Sequence, residues 1–305
     1  MAGARARLRL PGHPQTCSAG SLPPGSAWQN PGVVSTGVSL KLEELHHWFA
    51  ASPSVVVAYS GGTDSTLLAA VAARTLGNRA LAVTAVSPSL PPGELEEARR
   101  IAAELGIRHR TVRTHETEKP EYLANGPDRC YRCRTELYDV LARIAEEAGG
   151  ATVVSGANVD DLEDFRPGLR AAAERGVRHP LAEVGFSKRE VREAARELGI
   201  PTWDKPASAC LSSRIAFGVR ISVDELTKVG RAERLLRDLG FRQCRARVHG
   251  DLVRVEVELE DLPRLAELGV RARVVDGLKA LGYRFVTIDL EGFRSGSMNP
   301  EEGAP

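Results

Sequence analysis

Apolar residues along the chain recur in short β-branched runs separated by stretches of helical period. Runs at 54–59, 80–86, 107–112 and 151–155 have the length and near-continuous apolar character of strands buried on both faces. Between and after them, 65–76, 93–105, 132–148 and 188–198 place apolar residues every three or four positions, as an amphipathic helix does. Alternation of the two predicts an α/β fold, a doubly wound parallel sheet with helices on both faces. After 221 the rhythm changes to a helix over 223–239, alternating strands over 245–248 and 252–258, helical segments through 281 and a last strand over 283–288. That pattern predicts a smaller α+β unit. The expected organisation is a disordered extension over 1–38, an α/β domain over 39–220, a C-terminal α+β domain over 221–291 and a flexible tail over 292–305. The extension is expected because Pro11, Pro14, Pro23 and Pro24 break any amphipathic helix there.

Two segments do not keep the rhythm: 114–129, polar with Pro120, Gly126 and Pro127, and 203–219, rich in Ser, Pro and Arg. Loops of that length inside a compact domain are usually functional or disordered. Both contain cysteine or lead directly to it.

Composition narrows the function classes. The 305 residues suffice for two cores, and 41 Lys and Arg against 40 Asp and Glu give a net charge of +1. Nothing in that balance favours wholesale binding to nucleic acid or to an anionic membrane, so an anion site must be local. No run approaches the roughly 20 apolar residues needed to cross a bilayer. Five cysteines, an odd number without a secretory apolar segment, argue against a disulfide framework and for a reducing, cytoplasmic setting.

The strongest local signal is Ser60-Gly61-Gly62-Thr63-Asp64-Ser65-Thr66, which follows the first strand and opens a helix. Glycines there leave backbone N–H groups unhindered at the positive end of a helix dipole, a nest for phosphate. Ser60, Ser65 and Thr66 add hydroxyl donors, and Asp64 can cap the helix or reach a phosphate-bound Mg²⁺. No Gly-Lys-Ser/Thr follows, so this is not a Walker loop, nor is it a dinucleotide fingerprint. Gly156, Asn158 and Asp160 end another strand on the same carboxyl edge, where open α/β sheets bind ligands, and are expected to close the nucleotide site. Ala85 and Ser87, at the end of the run 80–86, are the expected neighbours of adenine.

Cys130 and Cys133 form a C-x-x-C pair at the junction of the first irregular segment with a helix, and Cys210 lies in the second. A lone C-x-x-C fits a redox pair, half a zinc site or part of an iron–sulfur site. No second pair completes a structural zinc site, whereas three thiolates suit a [4Fe–4S] cluster whose fourth iron is open to an extra sulfide. Arg129, Arg132 and Arg134 make these surroundings electropositive by sequence and so favour thiolates. Cys17 and Cys244 are read as incidental, and His109, His115 and His179 receive no role.

The loop SGGTDST resembles the PP-loop of the N-type ATP pyrophosphatases, which cleave ATP between the α and β phosphates to adenylate a substrate. Together with RCYRCRTEL at 129–137, GANVDD at 156–161 and DKPASACLSSRI at 204–215, it is similar to the LarE family over roughly 40–290. The resemblance implies a sulfur transferase that adenylates a carboxylate of pyridinium-3,5-biscarboxylic acid mononucleotide and replaces oxygen by sulfur, in nickel-pincer cofactor biosynthesis. It implies ATP and Mg²⁺, and for Cys130, Cys133 and Cys210 the ligation of a [4Fe–4S] cluster. Sulfide or a cysteine desulfurase would supply sulfur, and a homo-oligomer is expected. The substrate's phosphate needs a second anion site. Arg245 and Arg247, two apart on one strand, would share a face, with Arg214 a further candidate. The resemblance also implies an acidic metal site, placed at Glu233 and Glu256. A PP-loop tRNA thiolase is the alternative enzyme; behind it stand an ammonia-using synthetase and a non-catalytic nucleotide-binding module.

Overall fold

The computed structural model describes residues 36–162, 167–206, 208–294 and 296–298. Cys17, nearly all of the expected extension and the end of the expected tail lie outside the described residues. The chain begins with α1 (Thr36–Ala50), then runs β1 (Val55–Ala58), α2 (Thr63–Leu76), β2 (Ala80–Val86), α3 (Glu94–Glu104) and β3 (His109–Arg113). Next come α4 (Pro120–Leu123), α5 (Arg129–Glu147), β4 (Thr152–Ser155), the short α6 (Val159–Leu162), α7 (Pro167–Glu174), α8 (Pro180–Glu183) and α9 (Lys188–Glu197).

All four strands are parallel, in the order β3-β2-β1-β4. Alternation along β1 sends Val55 and Val57 to one face, where they meet Leu45 and Phe49 of α1, Leu67 and Leu68 of α2, and Val191 and Ala194 of α9. Val56 points the other way, with Val83 and Val153, into a core shared with Tyr138, Leu141 and Ile144 of α5 and Ala171 and Ala172 of α7. Both faces are covered, as the doubly wound reading predicts. α1 was missed because its apolar positions begin inside the stretch read as an extension. Val38 is buried in the core, so the folded part starts by Thr36 rather than after 38.

Beyond a 3-10 turn at Leu211–Arg214, α10 (Val223–Asp238) leads to β5 (Cys244–His249) and β6 (Leu252–Val257). α11 (Leu262–Ala266), α12 (Leu268–Ala280) and β7 (Phe285–Ile288) complete the chain. β5 and β6 are antiparallel, and β7 joins β6 in parallel. The core under this sheet includes Tyr122, Leu211 and Ile215 beside Leu226, Leu236, Phe241 and Val255. Residues from both irregular segments therefore help to form the core of the small sheet, across the boundary expected at 220. Ile215 bridges Val248, and the amide of Ala216 donates to the Val248 carbonyl at 2.9 Å. The expected tail also begins packed: the Phe293 amide donates to the Val257 carbonyl at 2.7 Å, and Ser297 Oγ donates to Glu256. No helix among the described residues is long and apolar enough to cross a membrane.

Candidate functional site

β1 ends in a loop whose conformation depends on two glycines from distant parts of the chain. Gly61 has φ +73, and a Cβ there would lie 2.9 Å from the Cβ of Ala98 on α3. A Cβ on Gly156, just beyond β4, would lie 2.9 Å from the Ser65 amide nitrogen, so this backbone lies directly against the first turn of α2. Gly62 is the N-cap of α2 and offers no side chain to the first-turn amides, which keeps the positive end of the helix open to an anion. Ser60 Oγ and Ser65 Oγ are 3.0 Å apart and steady the loop, while Thr66 lies fully buried beneath it.

Asp64 Oδ1 accepts from the Asn158 amide at 3.0 Å. Burial raises the pKa of this carboxyl, opposed by the Asn158 hydrogen bond, and the charge of Asp161 raises it further. Asp160, expected at the nucleotide, instead accepts from the Lys188 amide at the start of α9. Lys205 lies on the other side of the loop. Its Nζ donates to the Gly61 carbonyl at 3.4 Å and to Glu94 and Glu97 of α3, each at 2.9 Å. Burial alone would lower the lysine pKa, but the two carboxylates outweigh it and hold the pKa above its usual value.

Ala85 and Ser87 are partly buried at the end of β2 and just beyond it. Ser87 Oγ donates to Glu116 Oε1 at 2.5 Å, and Ser89 Oγ lies 3.0 Å from the same oxygen. The Ser89 carbonyl accepts from the Leu211 amide at 2.8 Å, tying the nucleotide edge to the residue after Cys210.

Cys130 and Cys133 occupy the first turn of α5, the former exposed and the latter partly buried; Cys210, also partly buried, precedes the 3-10 turn. Cys210 is near enough for its charge to be felt at Cys133, and of the three arginines expected to make these surroundings electropositive, Arg134 acts on the thiols while Arg129 and Arg132 are engaged elsewhere. Burial pushes the Cys133 thiol up, and the charges of Glu116 and Cys210 act in the same direction against Arg134. Arg129 turns away to Asn125 Oδ1 and the Ser212 carbonyl and stacks on Phe217. Arg132 pairs with Asp128 at the surface. Among the described residues no three His, Cys, Asp or Glu side chains are arranged to hold a metal ion. All three thiols nonetheless lie close enough to Arg134 for their charges to be felt there.

The three expected phosphate-binding arginines do come together. Arg214 is fully buried. Its Nε and a terminal nitrogen donate to the two carboxylate oxygens of Glu233 at 2.8 and 3.3 Å, and the other terminal nitrogen donates to the carbonyls of Ala209 and Cys210. Arg247 donates to Glu256 at 2.9 Å and to the Ser213 carbonyl at 3.2 Å. Arg245 lies over the Phe293 ring, and burial together with the charges of Arg214 and Arg247 brings its pKa down to about 10. Glu233 and Glu256, assigned to a metal by sequence, face guanidinium groups: Arg214 and Arg237 for the first, Arg247 and Arg254 for the second.

Comparison with known proteins gives this arrangement a family. The asparagine synthase family profile matches residues 49–131. A tRNA-specific 2-thiouridylase of Azorhizobium caulinodans is 30% identical over 52% of this chain and 50% of its own length. The pyridinium-3,5-bisthiocarboxylic acid mononucleotide synthase of Lactiplantibacillus plantarum is 39% identical over 80% of this chain and 88% of its own length. The chain belongs to the LarE family. A Synechocystis protein is 48% identical over 85% of this chain and 97% of its own length. LarE proteins are PP-loop enzymes, and this chain is an ATP-dependent sulfur transferase of that kind.

Against that LarE framework, sequence reading missed three side chains at the site. Lys205 was the most accessible to reasoning, a single lysine in an irregular segment that had to face some anion. Arg129 was expected to face the thiols, and only the fold shows it anchoring the Cys210 segment through the Ser212 carbonyl. Glu116 stands among Glu118 and Glu121, and nothing in that acidic stretch distinguishes the one that becomes buried.

Proposed function

We propose that this LarE-family enzyme adenylates a carboxylate of pyridinium-3,5-biscarboxylic acid mononucleotide and installs sulfur to give the thiocarboxylate, as a cytoplasmic step of nickel-pincer cofactor assembly. The reading is supported above all by one juxtaposition. The segment 205–214 touches the phosphate loop through Lys205, the nucleotide edge through Leu211 and the buried arginines through Arg214. Cys210 lies within that single stretch.

The open N-terminus of α2 and the amides around Gly61 and Gly62 receive the β and γ phosphates. Asp64, beside Asp161, holds the Mg²⁺ that ATP carries. Gly156 and Asn158 wall the loop, and Ala85 and Ser87 border adenine. Lys205 exchanges one of its carboxylate partners for pyrophosphate oxygen as charge builds on the leaving group. Arg245 and Arg247, with Arg214 behind them, receive the substrate's phosphate. Adenylation turns a poor leaving oxygen into AMP, which leaves as the acyl carbon bonds to sulfur at Cys210: sulfide brought there gives the thiocarboxylate directly, whereas the cysteine's own sulfur gives a thioester whose Cβ–S bond then breaks with loss of the Cα proton.

The test combines purified enzyme, ATP, Mg²⁺ and the biscarboxylate mononucleotide. Pyrophosphate release and a product mass increased by the exchange of oxygen for sulfur are expected. ATP turnover that responds to tRNA and not to the mononucleotide would replace this reading with a tRNA thiolase. Iron and labile-sulfide analysis of anaerobic protein separates a cysteine-borne sulfur from a cluster-borne one.

A further inference from the structure

Glu116 is unlike the other buried acids at the site. Only 2% of its surface is exposed, and it pairs with no lysine or arginine among the described residues. Hydroxyls of Ser87 and Ser89 converge on Oε1, whereas Oε2 is buried without a hydrogen-bond partner among the described residues. By contrast Glu233 and Glu256, equally buried, each face two guanidinium groups. A carboxylate withdrawn from water without a cation carries a desolvation penalty that two hydroxyls on one oxygen only partly offset.

Its location narrows the missing partner. Glu116 follows β3, contacts the residues that follow β2, and lies close enough to Cys133 and Tyr122 for its charge to be felt at both. Ser89, bound to it, also holds the segment of Cys210 through Leu211. Glu116 thus stands between the nucleotide edge and the thiols, where the activated acyl group must meet sulfur. The ring bearing that acyl group is a pyridinium, whose positive charge is fixed and cannot be lost as a proton.

We propose that Glu116 is the counter-charge for the substrate's pyridinium ring, and so selects the cationic ring over an uncharged one of the same shape. This rests on the substrate assigned above. A neutral ring in the same place leaves Oε2 buried and unpaired, which is how a site rejects a near-isostere. The two ring carboxylates are borne on carbons away from the nitrogen, so one can face the nucleotide while the nitrogen faces Glu116.

The test compares, by calorimetry, the biscarboxylate mononucleotide with its reduced, uncharged dihydropyridine counterpart. Wild-type enzyme should prefer the cation by about tenfold or more, within the range measured for close buried charge pairs. In Glu116→Gln the amide oxygen still accepts from Ser87 and Ser89, and the preference should fall to within about twofold. Glu116→Asp, which keeps the charge, should retain a preference, and the wild-type comparison stands even if a variant fails to fold. Equal wild-type affinity for the two ligands, or an unchanged preference in Glu116→Gln, overturns the proposal. So does a Glu116→Gln defect that raised Mg²⁺ repairs, because it would place a metal ion at Oε2. Pyrophosphate release with the mononucleotide but no cation preference removes this inference alone. No release with it, alongside release with another carboxylate, removes the substrate assignment as well.

Discussion

The phosphate loop and the arginine cluster, proposed above as two anion sites, are built in opposite ways. The loop offers backbone: two glycines, a helix terminus and small hydroxyls, with Gly156 and Ala98 pressed against it from other elements. The cluster offers side chains whose charges are buried and already compensated by Glu233 and Glu256. The first tolerates almost no added volume. The second tolerates almost no loss of charge, because a missing partner strands an ion away from water.

That contrast orders the expected effects of substitution. Glu233→Ala leaves Arg214 buried without its carboxylate and should cost about 3–5 kcal/mol of stability, read from chemical denaturation. A loss below about 1 kcal/mol would mean that water or Arg237 rearrangement compensates the charge. Lys205→Ala should leave the fold intact and slow substrate-dependent pyrophosphate release by about 10²–10³-fold, the scale of losing one donor to a developing anion. An unaltered rate would confine Lys205 to bridging α3. Gly156→Ala forces a Cβ against the Ser65 amide and should weaken ATP binding by about 1–3 kcal/mol, measured by calorimetry, with little change in substrate affinity.

The smallest effect lies outside both sites. Burial opposes ionisation of Glu190, but Lys41 and the Ser187 hydrogen bonds outweigh it and bring its pKa down from 4.5 to about 2. A depressed carboxyl contributes stability above its ordinary pKa and loses it as pH falls through the folded value. Glu190→Gln should therefore cost about 1 kcal/mol near neutrality. The gap from wild type should close between pH 4.5 and about 2, as followed by thermal melts across that range.

The same contrast explains what could be read before any coordinates. Parallel strands buried on both faces and a glycine loop at a strand end are local patterns, so β1, β2, β4 and residues 60–66 were legible from spacing alone. The period-two placement of Arg245 and Arg247 was equally local, and it predicted their shared face. Their partners were not legible, because Glu233 reaches Arg214 across 19 positions and the choice between a metal and a guanidinium is made by packing. The surroundings of the thiols were legible only in part for a related reason. Of the arginines counted near Cys133, Arg134 does act on it, but Arg129 is committed to Asn125 and Ser212, and the acid that reaches the thiol, Glu116, comes from another segment. Helix α1 was lost to its neighbourhood, being attached to a proline-rich stretch.

The strand-like contact of Ile215 with Val248 also limits how this protein can be divided. A fragment starting at 221 would give up Leu211, Ile215 and Tyr122 from its interior and bare one margin of β5. The sulfur-bearing loop therefore serves as masonry for the smaller half. Any recombination that transplants that half onto another nucleotide-binding scaffold must transplant the cysteine with it.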